Sequence, residues 1–138
     1  MEVSAAIISN GSEVLCFQKG KSKHGYLSER FEFPGGKLEP SETPEDALVR
    51  ELKEELNYSV SKESMHFFKD IHYDYEDFSV DLHYFFIFDA DPDYTLNEHL
   101  DAVWHPVKDL DELNWAGADL EIVKILQNDP SVIKSPEA

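Results

Sequence analysis

Gly36-Lys37-Leu38-Glu39-Pro40-Ser41-Glu42-Thr43-Pro44-Glu45-Asp46-Ala47-Leu48-Val49-Arg50-Glu51-Leu52-Lys53-Glu54-Glu55-Leu56-Asn57-Tyr58 is the stretch on which the fold turns. Thr43-Pro44-Glu45-Asp46 predicts a helix start: Thr43 offers an N-cap oxygen, Pro44 suits the first helical position, and two acids complement the helix dipole. The helix is expected to run to about Leu56, where Asn57 tolerates the left-handed conformation of a C-terminal cap. At roughly 100° per residue, Glu51, Glu54 and Glu55 project from one face. Ala47 lies on that face one turn earlier, and its small side chain is expected to leave room for a bulky ligand. Leu48, Val49, Leu52 and Leu56 fall on the other side as an apolar stripe that would hold the helix against a sheet.

Like charges at i,i+4 destabilise a helix by a few tenths of a kcal/mol unless cations or solvent relieve them. Carboxylate oxygens are hard donors suited to Mg²⁺ or Mn²⁺, and Mg²⁺ shares its shell among carboxylates, waters and phosphate oxygens. Taken alone, E-x-x-E-E on a helix is most often a solvated face, so the neighbours decide. From Gly36, five residues lead to Glu42 and seven more to Arg50-Glu51-Leu52-Lys53-Glu54-Glu55-Leu56-Asn57-Tyr58.

This closely resembles the Nudix box across 23 consecutive positions, with Asn57 where the family usually has glycine. The resemblance implies an α/β fold, an α/β/α sandwich with a mixed β-sheet and the catalytic loop–helix–loop. It implies that Arg50 organises the acids by ion pairing, that Glu51, Glu54 and Glu55 bind activating cations, and that Gly36, Lys37 and Glu42 support the motif. Phe31-Glu32-Phe33-Pro34-Gly35-Gly36-Lys37 resembles the approach to the box in MutT-type members, which hydrolyse nucleoside triphosphates. That likeness implies a metal contact from the Gly35 carbonyl, a nucleobase contact from Phe33, and an additional metal- or water-positioning acid at Glu98. Trp115-Ala116-Gly117-Ala118-Asp119 resembles the segment that supplies a base-reading side chain, here Asp119, where the bacterial type has asparagine. As an ion this aspartate only accepts hydrogen bonds and would prefer the exocyclic amine of cytosine, adenine or guanine, unless its own proton is retained. Lys21 is the candidate for a substrate-phosphate contact.

The expected reaction is Mg²⁺-dependent hydrolysis of a nucleoside triphosphate to the monophosphate and pyrophosphate, with oxidised dGTP or a cytidine or deoxycytidine triphosphate as candidates. Glu51, Glu54 and Glu98 are all candidates for the general base. The alternatives are a Nudix hydrolase of nucleoside diphosphate derivatives, such as a sugar nucleotide or dinucleotide, and a module that senses a nucleotide without cleaving it.

Outward from the box, 138 residues suit one domain, 1–138, with a flexible tail expected over 130–138. With 12 Lys+Arg against 29 Asp+Glu, the net charge of -17 would repel nucleic acid and anionic membranes. The expected partner is a small nucleotide, bound by a monomer or a homodimer. Cys16 alone excludes an intrachain disulfide, and an apolar setting makes it a buried, inert thiol. No basic leader and no apolar run of about 18 residues is present, so the chain reads as cytoplasmic.

Val3 to Ile8 and Val14 to Phe17 are β-rich runs around Asn10-Gly11, a pair that supplies the positive φ angles of a tight hairpin turn. Lys19, Lys21, Lys23 and His24 make a cationic loop before a short strand at Phe31 to Phe33. Met65 to Tyr75 and Phe78 to Phe88 are expected to pair antiparallel, bringing His72 opposite His83. A further strand at Val103 to His105 and a helix from about Gly117 complete the order. The six histidines, His24, His66, His72, His83, His99 and His105, form no helical metal pair.

Overall fold

Side chains of consecutive residues in strand β1 (Glu2–Ser9) are buried on both faces, as a central strand between two helical layers requires. Ala5 and Ile7 join one apolar cluster, with Leu82, Tyr84, Ile122 and Val123, while Ala6 and Ile8 join another, with Leu48, Leu52 and Leu56. A helix therefore covers each face of the sheet, and the α/β/α sandwich is the observed architecture. The computed structural model describes residues 1–21, 25 and 29–133. Lys23 and His24 of the cationic loop, and residues 134–138 of the expected tail, lie outside the described residues.

The remaining strands are β2 (Glu13–Lys19), β3 (Phe31–Glu32), β4 (Gly35–Lys37), β5 (Met65–Asp74), β6 (Ser79–Phe88) and β7 (His99–Pro106), with helices α1 (Pro44–Leu56) and α2 (Gly117–Asn128). The sheet is mixed, in the order β3-β2-β1-β6-β5, with β4 paired to β1 and β7 paired to β2. β1 and β6 run parallel and the other pairs antiparallel.

The opening hairpin departs from the expected one in two ways. Asn10 does not take a positive φ; its side-chain oxygen instead accepts from the Ser12 and Glu13 amides, and only Gly11, at φ 98°, uses the left-handed region. The register between β1 and β2 includes Ser9↔Val14, while the edge of β1 at Val3 to Ala5 pairs with Gly35 to Lys37. The glycine turn is thereby drawn against the N-terminal half of β1.

β5 and β6 pair as expected, but the register sets His72 against Asp81 and His83 against Asp70, correcting the histidine pairing. Each imidazole meets carboxylates, His72 Nδ1 on Asp81 at 2.7 Å and His83 Nδ1 on Asp70 at 2.7 Å. The seventh strand is longer than Val103 to His105, because its whole length pairs with β2. Pro130–Ile133, expected to begin a flexible tail, forms a 3-10 turn with Ile133 buried and its carbonyl accepting from the Ser9 hydroxyl at 3.0 Å. Cys16 is buried, and burial pushes its thiol up to about 12, as an inert thiol requires. Among the described residues, no helix is long and apolar enough to cross a membrane.

Candidate functional site

Helix α1 begins and ends where its sequence dictates. Thr43 accepts from the Asp46 amide at 3.1 Å, and Asn57 adopts φ 48°, ψ 34°, its amide reaching back to Lys53 and Leu52 carbonyls. Leu48, Leu52 and Leu56 are buried in the cluster beneath β1, whereas Val49 is only half-buried. Ala47 is also fully buried, which corrects the expectation that it opens space for a ligand. The Ser4 hydroxyl donates to the Pro44 carbonyl at 2.7 Å, tying the start of the helix to β1.

Arg50 gathers the acids. Its Nε donates to Glu42 Oε2 at 2.9 Å and one terminal nitrogen to Glu42 Oε1 at 2.8 Å, the paired geometry in which guanidinium and carboxylate bind most strongly. That nitrogen also reaches the Lys37 carbonyl at 2.9 Å, while the other donates to Glu51 at 2.7 Å and meets Glu54 at 3.5 Å. The hydrogen bond from Arg50 holds the Glu42 carboxyl below its ordinary range.

The glycine turn closes on these acids from the sheet side. The Gly35 amide donates to Glu55 at 3.0 Å. Gly36 lies so close to Glu51 that a Cβ there would have to displace its carboxylate, which explains the absence of a side chain at this position. Burial raises the Glu51 carboxyl against the pull of Arg50. Glu55 is pushed up to about 9, first by burial and then by the charges of Glu32, Glu51 and Glu98. Glu55 is thus crowded by like charge, a setting that a divalent cation would relieve.

Glu98 comes from the loop before β7. Thr95 and Asn97 amides donate to the Leu56 and Glu55 carbonyls at 2.7 and 3.2 Å, and the Asn97 carboxamide to the Glu54 carbonyl at 3.2 Å. The loop thus satisfies the open end of α1, and Glu98 joins Glu55 in lining a cavity of about 180 Å³. Lys21 lines the same cavity, together with Lys19 of the cationic loop and with Glu32 and His99, two residues to which the sequence reading gave no role. Lys19, Glu32 and His99 stand on neighbouring strands, with Lys19 opposite His99 and Phe17 opposite Glu32.

A second cavity of about 210 Å³ adjoins it, walled by Phe33, Tyr75, Phe78, Val80 and Leu82, with Gly35, Gly36 and Lys37 at one side. Asp119 lies at its edge on α2, 6% exposed, accepting from the Tyr84 hydroxyl at 2.6 Å and the Phe33 amide at 3.2 Å. Burial pushes its carboxyl up to about 7, outweighing those two bonds, which favour the ion. The aspartate is therefore not a permanent acceptor, the alternative that the sequence left open; near neutral pH it exchanges between acceptor and donor.

That shift sets a pH dependence of stability. The folded protein keeps a proton on Asp119 that an unfolded chain releases near its ordinary value of 3.8. The associated stabilisation is full below about pH 4 and is lost as pH rises through about 7. Relative to Asp119→Asn, stability should fall by up to about 1.4 kcal/mol per pH unit across that window. Urea unfolding of both proteins at several pH values measures it, and a pH-independent difference would show that Asp119 does not titrate there.

Comparison with known proteins gives a consistent family. The NUDIX domain family matches residues 1–125. The chain is 31% identical over 88 residues to an 8-oxo-dGTP diphosphatase of Escherichia coli, covering 63% of this chain and 65% of that one. It is 47% identical over 57 residues to a CTP pyrophosphohydrolase of E. coli, covering 41% and 40%. The match thus spans less than two thirds of either relative's own length. The solution structure of the E. coli ORF135 protein superposes with a TM-score of 0.77 at 27% identity, covering 95% of this chain and 91% of that one.

Proposed function

Because the chain belongs to the NUDIX domain family, we propose that it is a Mg²⁺-dependent hydrolase of a nucleoside triphosphate, releasing the monophosphate and pyrophosphate. The observation that carries this reading is the pair of adjoining cavities, one aromatic and ending at Asp119, the other lined by acids and lysines. A nucleotide joins a flat apolar ring to a polyanion, and the two cavities complement those two halves. The names of the E. coli relatives support a triphosphate, with oxidised dGTP and CTP as the candidate substrates.

In this reading Glu51, Glu54 and Glu55 hold the cation, with Gly35 and Glu98 beside them, a donor set of hard oxygens that fits Mg²⁺ and also Mn²⁺. Bound there, the ion supplies charge neutralisation for the phosphate chain and a more acidic attacking water. Arg50 fixes the acids through Glu42, Glu51 and Lys37, so their geometry is set before substrate arrives. Water attacks phosphorus, and a glutamate of the set, Glu51, Glu54 or Glu98, takes its proton. Lys21 and Lys19 meet phosphate oxygens, Phe33 forms a wall for the base, and Asp119 reads its edge.

The test is to incubate the protein with Mg²⁺ and canonical and oxidised nucleoside triphosphates, sugar nucleotides and dinucleotides, identifying phosphorus products by ³¹P NMR. Monophosphate and pyrophosphate from a triphosphate are expected. Cleavage of the diphosphate derivatives alone, or tight nucleotide binding with no turnover, would replace this reading.

A further inference from the structure

Lys19 and Glu32 line both cavities, and no other described residue does. With the base in the aromatic cavity and the phosphates beside the acids, the part of a nucleotide that passes between these two residues is the sugar. Lys19 suits the adjoining phosphate. Glu32 is paired with Lys19, Nζ to Oε1 at 3.6 Å, and its remaining lone pairs can face either a bound cation or a hydroxyl donor.

His99 decides between them. Its side chain is 2% exposed, and its Nε2 lies 2.9 Å from Glu32 Oε2. Its Nδ1 is buried with no partner among the described residues. Glu32, Glu55 and His99 present ligand atoms within 4.8 Å of one another, close enough for an ion. Ligation through Nε2, however, requires the proton on Nδ1, where it would face no acceptor, whereas metal-bound histidines almost always donate from their second nitrogen. A bare Nδ1 is the less costly orphan. The hydrogen bonding therefore selects the tautomer with the proton on Nε2, donating to Glu32.

We propose that Glu32, oriented by His99, accepts a hydrogen bond from a ribose or deoxyribose hydroxyl and so selects substrates by their sugar. Of the roughly four lone-pair directions of this carboxylate, one is taken by His99 and another is aimed toward Lys19, whose Nζ lies 3.6 Å from Oε1. The others remain for substrate. His99 is a positioning residue: it touches Phe17, with ring centroids 5.3 Å apart, and Glu32, and it acts on the nucleotide only through that carboxylate. Lys19 on the opposite oxygen limits rotation from the other side. This inference rests on the nucleoside triphosphate reading above.

The test compares kcat/KM for CTP, dCTP and 2′,3′-dideoxy-CTP, with dGTP and dideoxy-GTP in parallel. The unmodified protein should disfavour the dideoxy substrate by at least about tenfold, the loss expected for one hydrogen bond to a charged acceptor. Glu32→Gln, which keeps a neutral carbonyl acceptor, should lower that ratio, and Glu32→Ala should bring it close to one. Because the ratio is taken within one protein, any change that the variant makes to metal binding cancels. His99→Gln, which keeps a donor at the Nε2 position, should preserve most of the discrimination, and His99→Leu should lose it. Thermal unfolding reports whether each variant is folded. A purely structural role for His99 would lower turnover of all substrates alike and leave the ratio unchanged. A ratio near one in the unmodified protein, or one insensitive to Glu32→Ala, overturns the inference while leaving the hydrolase reading intact. Absence of turnover with every triphosphate removes both.

Discussion

Glu54→Gln is expected to lower kcat by at least about a hundredfold in Mg²⁺ while leaving the unfolding transition essentially unchanged. Its side chain is 59% exposed and meets Arg50 only at 3.5 Å, an ion pair worth about half a kcal/mol or less to the fold. The same position matters for turnover because the carboxamide keeps the shape but surrenders the charge and one anionic oxygen. Steady-state kinetics across a Mg²⁺ titration, beside a thermal melt, make the measurement. Near-normal turnover in the variant would remove Glu54 from the cation set.

Gly35→Ala should do the reverse, unfolding the protein before its chemistry can be asked about. Gly35 sits at φ 157° where β4 pairs with β1, and a Cβ would overlap the Ser4 carbonyl oxygen and the Ala5 Cα. Both obstacles are backbone of the central strand, which cannot step aside without disturbing both core clusters. A loss of more than about 3 kcal/mol is expected, at the severe end of single substitutions. Urea denaturation tests it, and a variant within 1 kcal/mol of the parent, on that same order-of-magnitude scale, would show that the strand pair yields. Gly36→Ala offers the contrast. Its obstacle is the end of the Glu51 side chain, so that variant should fold and lose activity.

Helix α1 was legible because everything that specifies it is local. Thr43, Pro44, Asn57 and the alternation of leucines with glutamates act within a few residues of one another, and they place the acids on one face unaided. Ala47 shows where that logic stops: helical position alone puts it one turn before Glu51, yet it is fully buried. Glu32, Lys19 and His99 belong to a different kind of information. They converge because β3, β2 and β7 are neighbours in a particular register, with an irregularity between Gln18 and Lys19. The pairing of His72 with Asp81 rather than His83 is set in the same way, two positions along a strand from the expected one. Asp119 was found as a residue but not as a chemical state, since its protonation depends on being enclosed beneath Tyr84 and Phe33.

The loop at Thr95 to Asn97 ties the end of α1 to a segment about 40 residues away in the chain. It has no regular structure of its own in this stretch, so its order is borrowed from the helix carbonyls it closes. Loop and helix end consequently open together, as one cooperative unit, and the positions of Glu98 and of the helix acids are not independent variables. In the proposed reading, Glu98 and the helix acids would hold the cation from the two halves of that unit. Occupancy would then work as a latch on local unfolding, and affinity for the ion would include the free energy of keeping this end of the helix closed.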